Sequence, residues 1–425
     1  KKYTPLQPDT TWIRQHRRIL LAIIILLALA TRVVRLNTPP ERYHDEVYHA
    51  YTAEQWVRGN TDAWLWDKSA PNPNCAYEWT HPPLAKLLMT ASMGVFGIHP
   101  WAWRLPAALL GTLCAALVYW IARNLFERES IALLAAALYS LDTLPLVMSR
   151  VGMNDIYCVT FVLVAVLAAL RHRYFLSAMS VGAALACKWS ALYALPLLAL
   201  IYLIRPHPRY RRHLGYLTSV CIIHVLAIVG IYMAAYIPFF KAGHSIDQFC
   251  DLQEQMWFYH TGLTATHPGS SPAWAWPLNR GALWLYTSKT VNPKANIYAV
   301  GSPIIWFAGL LAILFSAYQL IQKPNQSLGV VLAGYLFFWA PWLMSPRIMF
   351  INHYLPSLPF LYIALAHAVV DRKLSITNII CLLSLAVLCL VVFFPYITAC
   401  PLPAILSPLN IQQQISTFFS ISRPT

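Results

Sequence analysis

The chain has 425 residues, 58% of them hydrophobic and only 11% charged, with a mean hydropathy of +0.52. A soluble domain carries about 25% charged residues, and abundant Trp, Tyr and Phe without any polar low-complexity tract exclude fibrous and disordered classes, which leaves a chain solvated mostly by lipid. The net charge of +15 is no nucleic-acid footprint, because the basic residues cluster in short turns between apolar runs, as cytoplasmic loops near anionic lipid do.

The first apolar run, 18–36, follows Arg14, Arg17 and Arg18 and lacks a small-residue cleavage site, so it reads as a retained span. Further windows long enough for a hydrocarbon core of about 30 Å fall at 103–122, 130–147, 152–170, 174–187, 189–204, 215–237, 303–321, 328–344, 353–369 and 375–396. The expected fold is all-α and polytopic, with about eleven spans in one transmembrane domain over 1–425 and no separate soluble domain. Arg14/Arg17/Arg18, Arg123/Arg128, Arg171/Arg173, Arg205/Arg209/Arg211/Arg212, Lys323 and Arg372/Lys373 occupy alternate turns. Those turns are therefore expected in the cytoplasm, with the N-terminus inside and the C-terminus outside.

Segments 37–102 and 238–302 are then outer loops, rich in Trp, Tyr, Pro and His. Within the first, 82–98 has an apolar face broken by Pro83 and Lys86 and reads as a helix lying on the membrane surface. No internal repeat is evident, which counts against a transporter built from inverted repeats. Of nine cysteines, Cys114, Cys187, Cys221, Cys381 and Cys389 fall in apolar runs. Cys75 and Cys250 lie in the outer loops and are open to one bridge that spacing does not establish. Neither a Cys/His zinc pattern nor a DxD motif nor a phosphate-cradling Gly loop occurs, so no metal or other cofactor is expected.

The chemistry-bearing feature is the acidic pair Asp45-Glu46, nine residues beyond the first span. A carboxylate at the membrane surface can take a proton from an acceptor hydroxyl while a second substrate stays anchored in lipid. It can equally be a helix first turn, where acids are stabilising. Cations share its side of the membrane: Arg32, Arg35, Arg104, Arg150, Lys188 and Arg347. Each alone could snorkel to head groups; converging, they would hold a phosphate. Asp142 and Asp155 flank Arg150, close to hydrocarbon, where ionisable residues are functional candidates or structural ion pairs.

An ordered set of motifs resembles the protein O-mannosyltransferases of the GT-C membrane glycosyltransferases, in a compact bacterial-type form. It runs from about residue 32 to 360: Arg32, His44-Asp45-Glu46, His81-Pro82-Pro83-Leu84-Ala85-Lys86, Trp103-Arg104-Leu105-Pro106, Leu141-Asp142, Met148-Ser149-Arg150, Asn154-Asp155 and Lys188-Trp189-Ser190. Tyr259-His260, Thr266-His267-Pro268, Trp276-Pro277-Leu278, Pro341-Trp342, Arg347-Ile348-Met349-Phe350 and His353-Tyr354-Leu355-Pro356 continue it. The resemblance implies a polyprenyl-phosphate sugar donor, typically mannose, and a Ser/Thr hydroxyl of a protein or peptide as acceptor. It makes Asp45 the expected catalytic base with Glu46 its partner. Arg32, His81, Lys86, Arg104, Asp142, Arg150, Asp155, Lys188, Arg347, His353 and Tyr354 become candidates for binding the donor phosphate or substrate.

His44, Ala85 and Gly281 depart from the family pattern, where an aromatic, Gly and Pro are usual, and the soluble β-trefoil insert of eukaryotic members is missing. Trp274 and Trp276 could hold the acceptor or anchor the interface. The rival readings are a related GT-C transferase acting on a lipid or envelope glycan, and a lipid or solute transporter.

Overall fold

The computed structural model describes residues 11–206, 214–288, 295–372 and 374–400. Arg209, Arg211, Arg212 and Lys373, used above for orientation, lie outside the described residues.

After α1 (Thr11–Val33), the first outer segment holds α2 (His49–Val57) and α3 (Leu84–Phe96). The bundle continues with α4 (Pro100–Phe126), α5 (Glu129–Leu141), α6 (Thr143–Met148) and α7 (Asp155–Leu170). Next come α8 (Tyr174–Leu185), α9 (Ala194–Ile204) and α10 (Leu214–Ala235). The second outer segment carries α11 (Ile237–Lys241), α12 (Ile246–Gly262) and the strands β1 (Leu283–Thr287) and β2 (Asn296–Ala299). The helices α13 (Pro303–Gln322), α14 (Gln326–Trp339), α15 (Leu358–Asp371), α16 (Ile376–Phe393) and α17 (Pro395–Thr398) complete the described chain.

A helix occupies every window expected to span, and the chain is a multi-pass helical membrane protein. Among the described residues, six helical stretches are both long and apolar enough to cross a membrane, including Pro100–Phe126, Ile351–Asp371 and Ile376–Phe393. That is fewer than the eleven or so expected: α5, α7, α8 and α9 are apolar but short, and α1 carries Arg14, Arg17, Arg18 and Arg32. Burial grades the helices. Nearly all of α15 is enclosed by α5, α13 and α14, while α10 and α16 leave rows such as Ile222, Val225 and Val229 or Leu385, Leu388 and Val392 exposed for lipid. In the first outer segment α3 buries Ala85, Met89 and Met93, four residues apart, against α2 and α4.

One expectation needs correction. The predicted span 130–147 breaks at Asp142, whose backbone is extended between α5 and α6. The Asp142 carboxylate accepts from the Ser302 backbone N–H (2.7 Å), Trp306 Nε1 (2.6 Å) and the Tyr362 hydroxyl. Satisfying a buried carboxylate outweighs continuing the helix by one residue. The fold is all-α as expected, and β1 and β2 add a short antiparallel pair to it, with a bulge between Trp284 and Tyr286. Gly281, which precedes β1, has φ +87 and would place a Cβ 2.2 Å from that of Ser271. A proline, fixed at negative φ, has no place there.

The basic turns gather at one end of the bundle. Arg17 and Arg123 both approach Glu129, at 3.8 and 2.9 Å. Arg205 donates to the Asn124 carbonyl and to Ser327 Oγ, joining the α4–α5, α9 and α13–α14 turns. At the opposite end the two outer segments meet the α6–α7, α8–α9 and α14–α15 connections around a cavity.

Candidate active site

Asp45 and Glu46 sit in a single 3₁₀ turn, His44–Val47, entered through a left-handed residue, His44 at φ +48. The turn splits the two acids. Glu46 is fully buried and accepts from Arg104 Nε and Nη2 (2.7 Å each) and from the Gly152 N–H (2.9 Å). Arg104 spends its remaining donors on the carbonyls of Leu36, Pro39 and Glu41, so all five are used. Asp45 points the other way: its side chain is 37% exposed and lines the cavity, with His44 Nε2 at 3.7 Å.

The cavity has a volume of about 820 Å³, large enough for a substrate-sized ligand. Six of the residues singled out from sequence line it: Asp45, His81, Asp155, Lys188, Arg347 and His353. Lys188 donates to Asp155 Oδ1 (2.8 Å), which also accepts from Asn352 Nδ2 (3.3 Å). This places Asp155 at the first turn of α7, where a carboxylate complements the helix dipole. A narrow cleft leaves the cavity here, between Asp155, Cys158, Tyr193, Phe338, Trp342 and Pro356. Arg347 donates from Nη1 to His260 Nδ1 (2.6 Å), and its Nε has no partner among the described residues. His353 is fixed by the Phe350 carbonyl (3.0 Å) and by the edge of Trp342.

The other candidates stand behind the wall rather than in it. Lys86 directs its ammonium to the carbonyls of Glu78 and His81 (2.8 Å each) and to the Glu78 carboxylate, saturating its three donors. It thereby folds residues 78–81 over α3. Arg150 ties the α6–α7 connection to the carbonyls of Thr31 and Arg32 at the end of α1 (2.9 and 2.7 Å). Arg32 donates to the Ala28 carbonyl and lies over the Tyr139 ring, Tyr354 bonds the Tyr335 hydroxyl, and Asp142 closes the hub described above. Neither aromatic candidate for the acceptor lines the cavity: Trp276 is fully buried and Trp274 is exposed elsewhere. Cys75 and Cys250 are both free thiols.

Other wall residues were not singled out as site candidates. Glu78 is one, and burial alone would raise its carboxyl, but the Lys86 ammonium and His49 hold it below the usual range. Burial, then the charges of Lys188 and His260, push the His81 imidazole well below its usual range. Burial and Arg347 bring His260 down to about 4. The rings of His49, His81 and His260 form a stacked row, with centroids 6.0 and 5.0 Å apart. His81 and His260 stood in motifs of the family resemblance, whereas His49 was marked only by the density of His and aromatics in the outer segments; their common wall depends on contacts between residues about 180 positions apart.

Two family profiles match the chain: "Dolichyl-phosphate-mannose-protein mannosyltransferase" over residues 80–232 and "C-terminal four TMM region of protein-O-mannosyltransferase" over 245–404. The chain is 24% identical to the polyprenol-phosphate-mannose–protein mannosyltransferase of Mycobacterium tuberculosis, over 90% of this chain and 89% of the relative. It is 25% identical to the one from Corynebacterium glutamicum, over 86% and 84%. Its fold superposes on the donor-bound Saccharomyces cerevisiae Pmt1–Pmt2 complex with a TM-score of 0.78 and 14% identity, over 96% of this chain and 93% of that one. The chain belongs to the protein O-mannosyltransferase family of GT-C membrane glycosyltransferases.

Proposed function

We propose that this enzyme transfers mannose from a polyprenyl phosphate to a Ser/Thr hydroxyl of a protein, in the cavity at Asp45, on the outer face of the membrane. One observation carries the reading. A single accessible carboxylate, separated from its buried neighbour Glu46, shares a cavity with two cations that keep unused donors, Lys188 and Arg347.

Asp45 takes the proton of the acceptor hydroxyl, and the oxygen attacks the anomeric carbon as the bond from that carbon to the phosphate oxygen breaks. The leaving group is the polyprenyl phosphate, whose developing charge falls to Lys188 and Arg347, with His353 and Asn352 lining the same wall. Because the phosphate departs as a stabilised anion, no general acid is required, and one displacement inverts the sugar, unlike the two-carboxylate arrangement of glycosidases. Cations supply the electrophilic stabilisation, so the mechanism calls for no metal or other cofactor. The narrow cleft beside Tyr193, Phe338 and Trp342 is the natural entry for the first isoprene units, widening as they enter.

Glu46, Arg104, Arg32, Arg150 and Lys86 act at one remove, shaping the Asp45 turn and the loop at 78–81, while Asp142 and Tyr354 hold the helices together. The whole chain serves as one transmembrane domain, with the N-terminus in the cytoplasm. Incubation of the purified protein with polyprenyl-phosphate mannose and a Ser/Thr peptide tests the reading. The peptide should gain one hexose with inverted configuration. A sugar that appears on lipid or glycan acceptors while peptides stay unmodified would sink it.

A further inference from the structure

One contact in the cavity wall joins three separate parts of the chain. His260, near the end of α12, accepts from Arg347 Nη1 on its Nδ1 (2.6 Å) and donates from Nε2 to the Thr80 carbonyl (2.8 Å). Arginine only donates and a carbonyl only accepts, so both contacts demand the same neutral imidazole with its proton on Nε2. The ring is also stacked on His81 at 5.0 Å and leans on Trp189 at 5.8 Å. It is therefore fixed by loop one, by the α8–α9 turn and by its own helix.

Arg347 has no comparable support. It leaves an irregular connection between α14 and the 3₁₀ turn Ile351–Ser357, and Tyr259 lies 6.0 Å below its guanidinium. Among the described residues, His260 provides its one hydrogen bond, and its buried Nε is unpartnered. A long, flexible cation held by one rigid acceptor is aimed by that acceptor.

We propose that His260 is a positioning residue that aims the Arg347 guanidinium at the donor phosphate, acting as a hydrogen-bond acceptor and not as an acid or base. This rests on the reading of Arg347 as a phosphate ligand. His260 ties the second outer segment to the first, so the donor site is complete only when both segments are in place.

The two ring nitrogens can be replaced one at a time. Asparagine carries its oxygen where Nδ1 stands and restores the acceptor for Arg347; glutamine reaches the Nε2 position and restores only the tie to Thr80. The measurement is initial rate against polyprenyl-phosphate mannose concentration at saturating peptide. His260→Ala should raise the donor KM and lower kcat/KM for the donor by about tenfold or more, as expected for one charge-assisted hydrogen bond that aims a group stabilising the leaving phosphate. His260→Asn should return the donor KM close to wild type, and His260→Gln should resemble His260→Ala. Rescue by Gln and not by Asn would show a role confined to the loop tie and overturn the proposal.

Arg347→Ala separates this from the underlying reading. It should raise the donor KM by itself, with His260→Ala adding nothing further. An unchanged donor KM in Arg347→Ala removes the phosphate reading and this proposal together. A raised KM in Arg347→Ala beside an unchanged one in His260→Ala removes only the proposal. Should His260→Ala not fold, the Asn and Gln variants decide the question.

Discussion

At the scale of residues, two neighbouring acids with the same chemistry are sent to opposite tasks by their surroundings. Asp45 is accessible and faces the cavity, whereas Glu46 is closed in a fork of two bonds from Arg104. Asp45→Asn should lower kcat by about 10²–10⁴, the range for a lost general base, while donor binding and the apparent Tm in detergent stay unchanged. Glu46→Gln should do the reverse first. It leaves Arg104 charged and half-paired in a dry site, and breaking a buried pair from one side costs about 3–5 kcal/mol. A Glu46→Gln protein with wild-type Tm, or an active Asp45→Asn protein, would undo this division.

The cavity histidines make a second prediction at this scale. His81 and His260 are held neutral below their ordinary value of 6.5, His260 down to about 4. Between those values the unfolded chain binds more protons than the folded one, so stability falls as pH falls from about 6.5 towards 4. Melting temperatures across that window should drop steadily, and less steeply in His260→Asn; a flat profile would contradict the buried, neutral state. The Asp45-Glu46 pair was legible in the sequence because acids are rare in this chain. Which cations reach the cavity was not: Lys86 and Arg104 look like Lys188 and Arg347 in a sequence, and only their saturated donors separate them.

At the scale of elements, the helices were legible because a bilayer demands long apolar runs with satisfied backbones, and each window expected to span contains one. The break at Asp142 was not legible, because its partners Ser302, Trp306 and Tyr362 lie more than 150 residues away. The β1–β2 pair was hidden likewise inside a segment without a clean alternating pattern. Close helix packing offers a test of what these contacts are worth. In α4, a Cβ on Gly111 would fall 2.0 Å from Ser149 Oγ and 2.6 Å from its Cβ, beside Arg32. In α10, a Cβ on Gly230 would meet nothing within 4 Å. Alanine is the better helix former at both sites by about 1 kcal/mol. Gly230→Ala should therefore leave the apparent Tm equal or slightly higher. Gly111→Ala should lower it, since overpacking costs about 1–3 kcal/mol and the displaced Ser149 adjoins Arg150. Equal melting temperatures for the two variants would mean that α4 and the α6–α7 connection are not packed this closely.

At the scale of the whole molecule, the chain is polar from end to end. Arg17, Arg123, Glu129, Arg205 and Ser327 meet at one end, and the cavity with both outer segments occupies the other. From the excess of arginine in short turns, we propose that the first end faces the cytoplasm. That orientation also suits the chemistry, since it leaves the acceptor-facing cavity open to secreted protein while the donor's tail remains in lipid. Cys250, an exposed free thiol on α12, reports on it directly. In a variant keeping only this cysteine, a membrane-impermeant maleimide added to intact cells should label the protein. A cysteine introduced by Lys323→Cys, in the α13–α14 turn, should react only after the membrane is opened. If the two positions exchange behaviour, the cavity faces the cytoplasm, and the donor's sugar must be presented there instead.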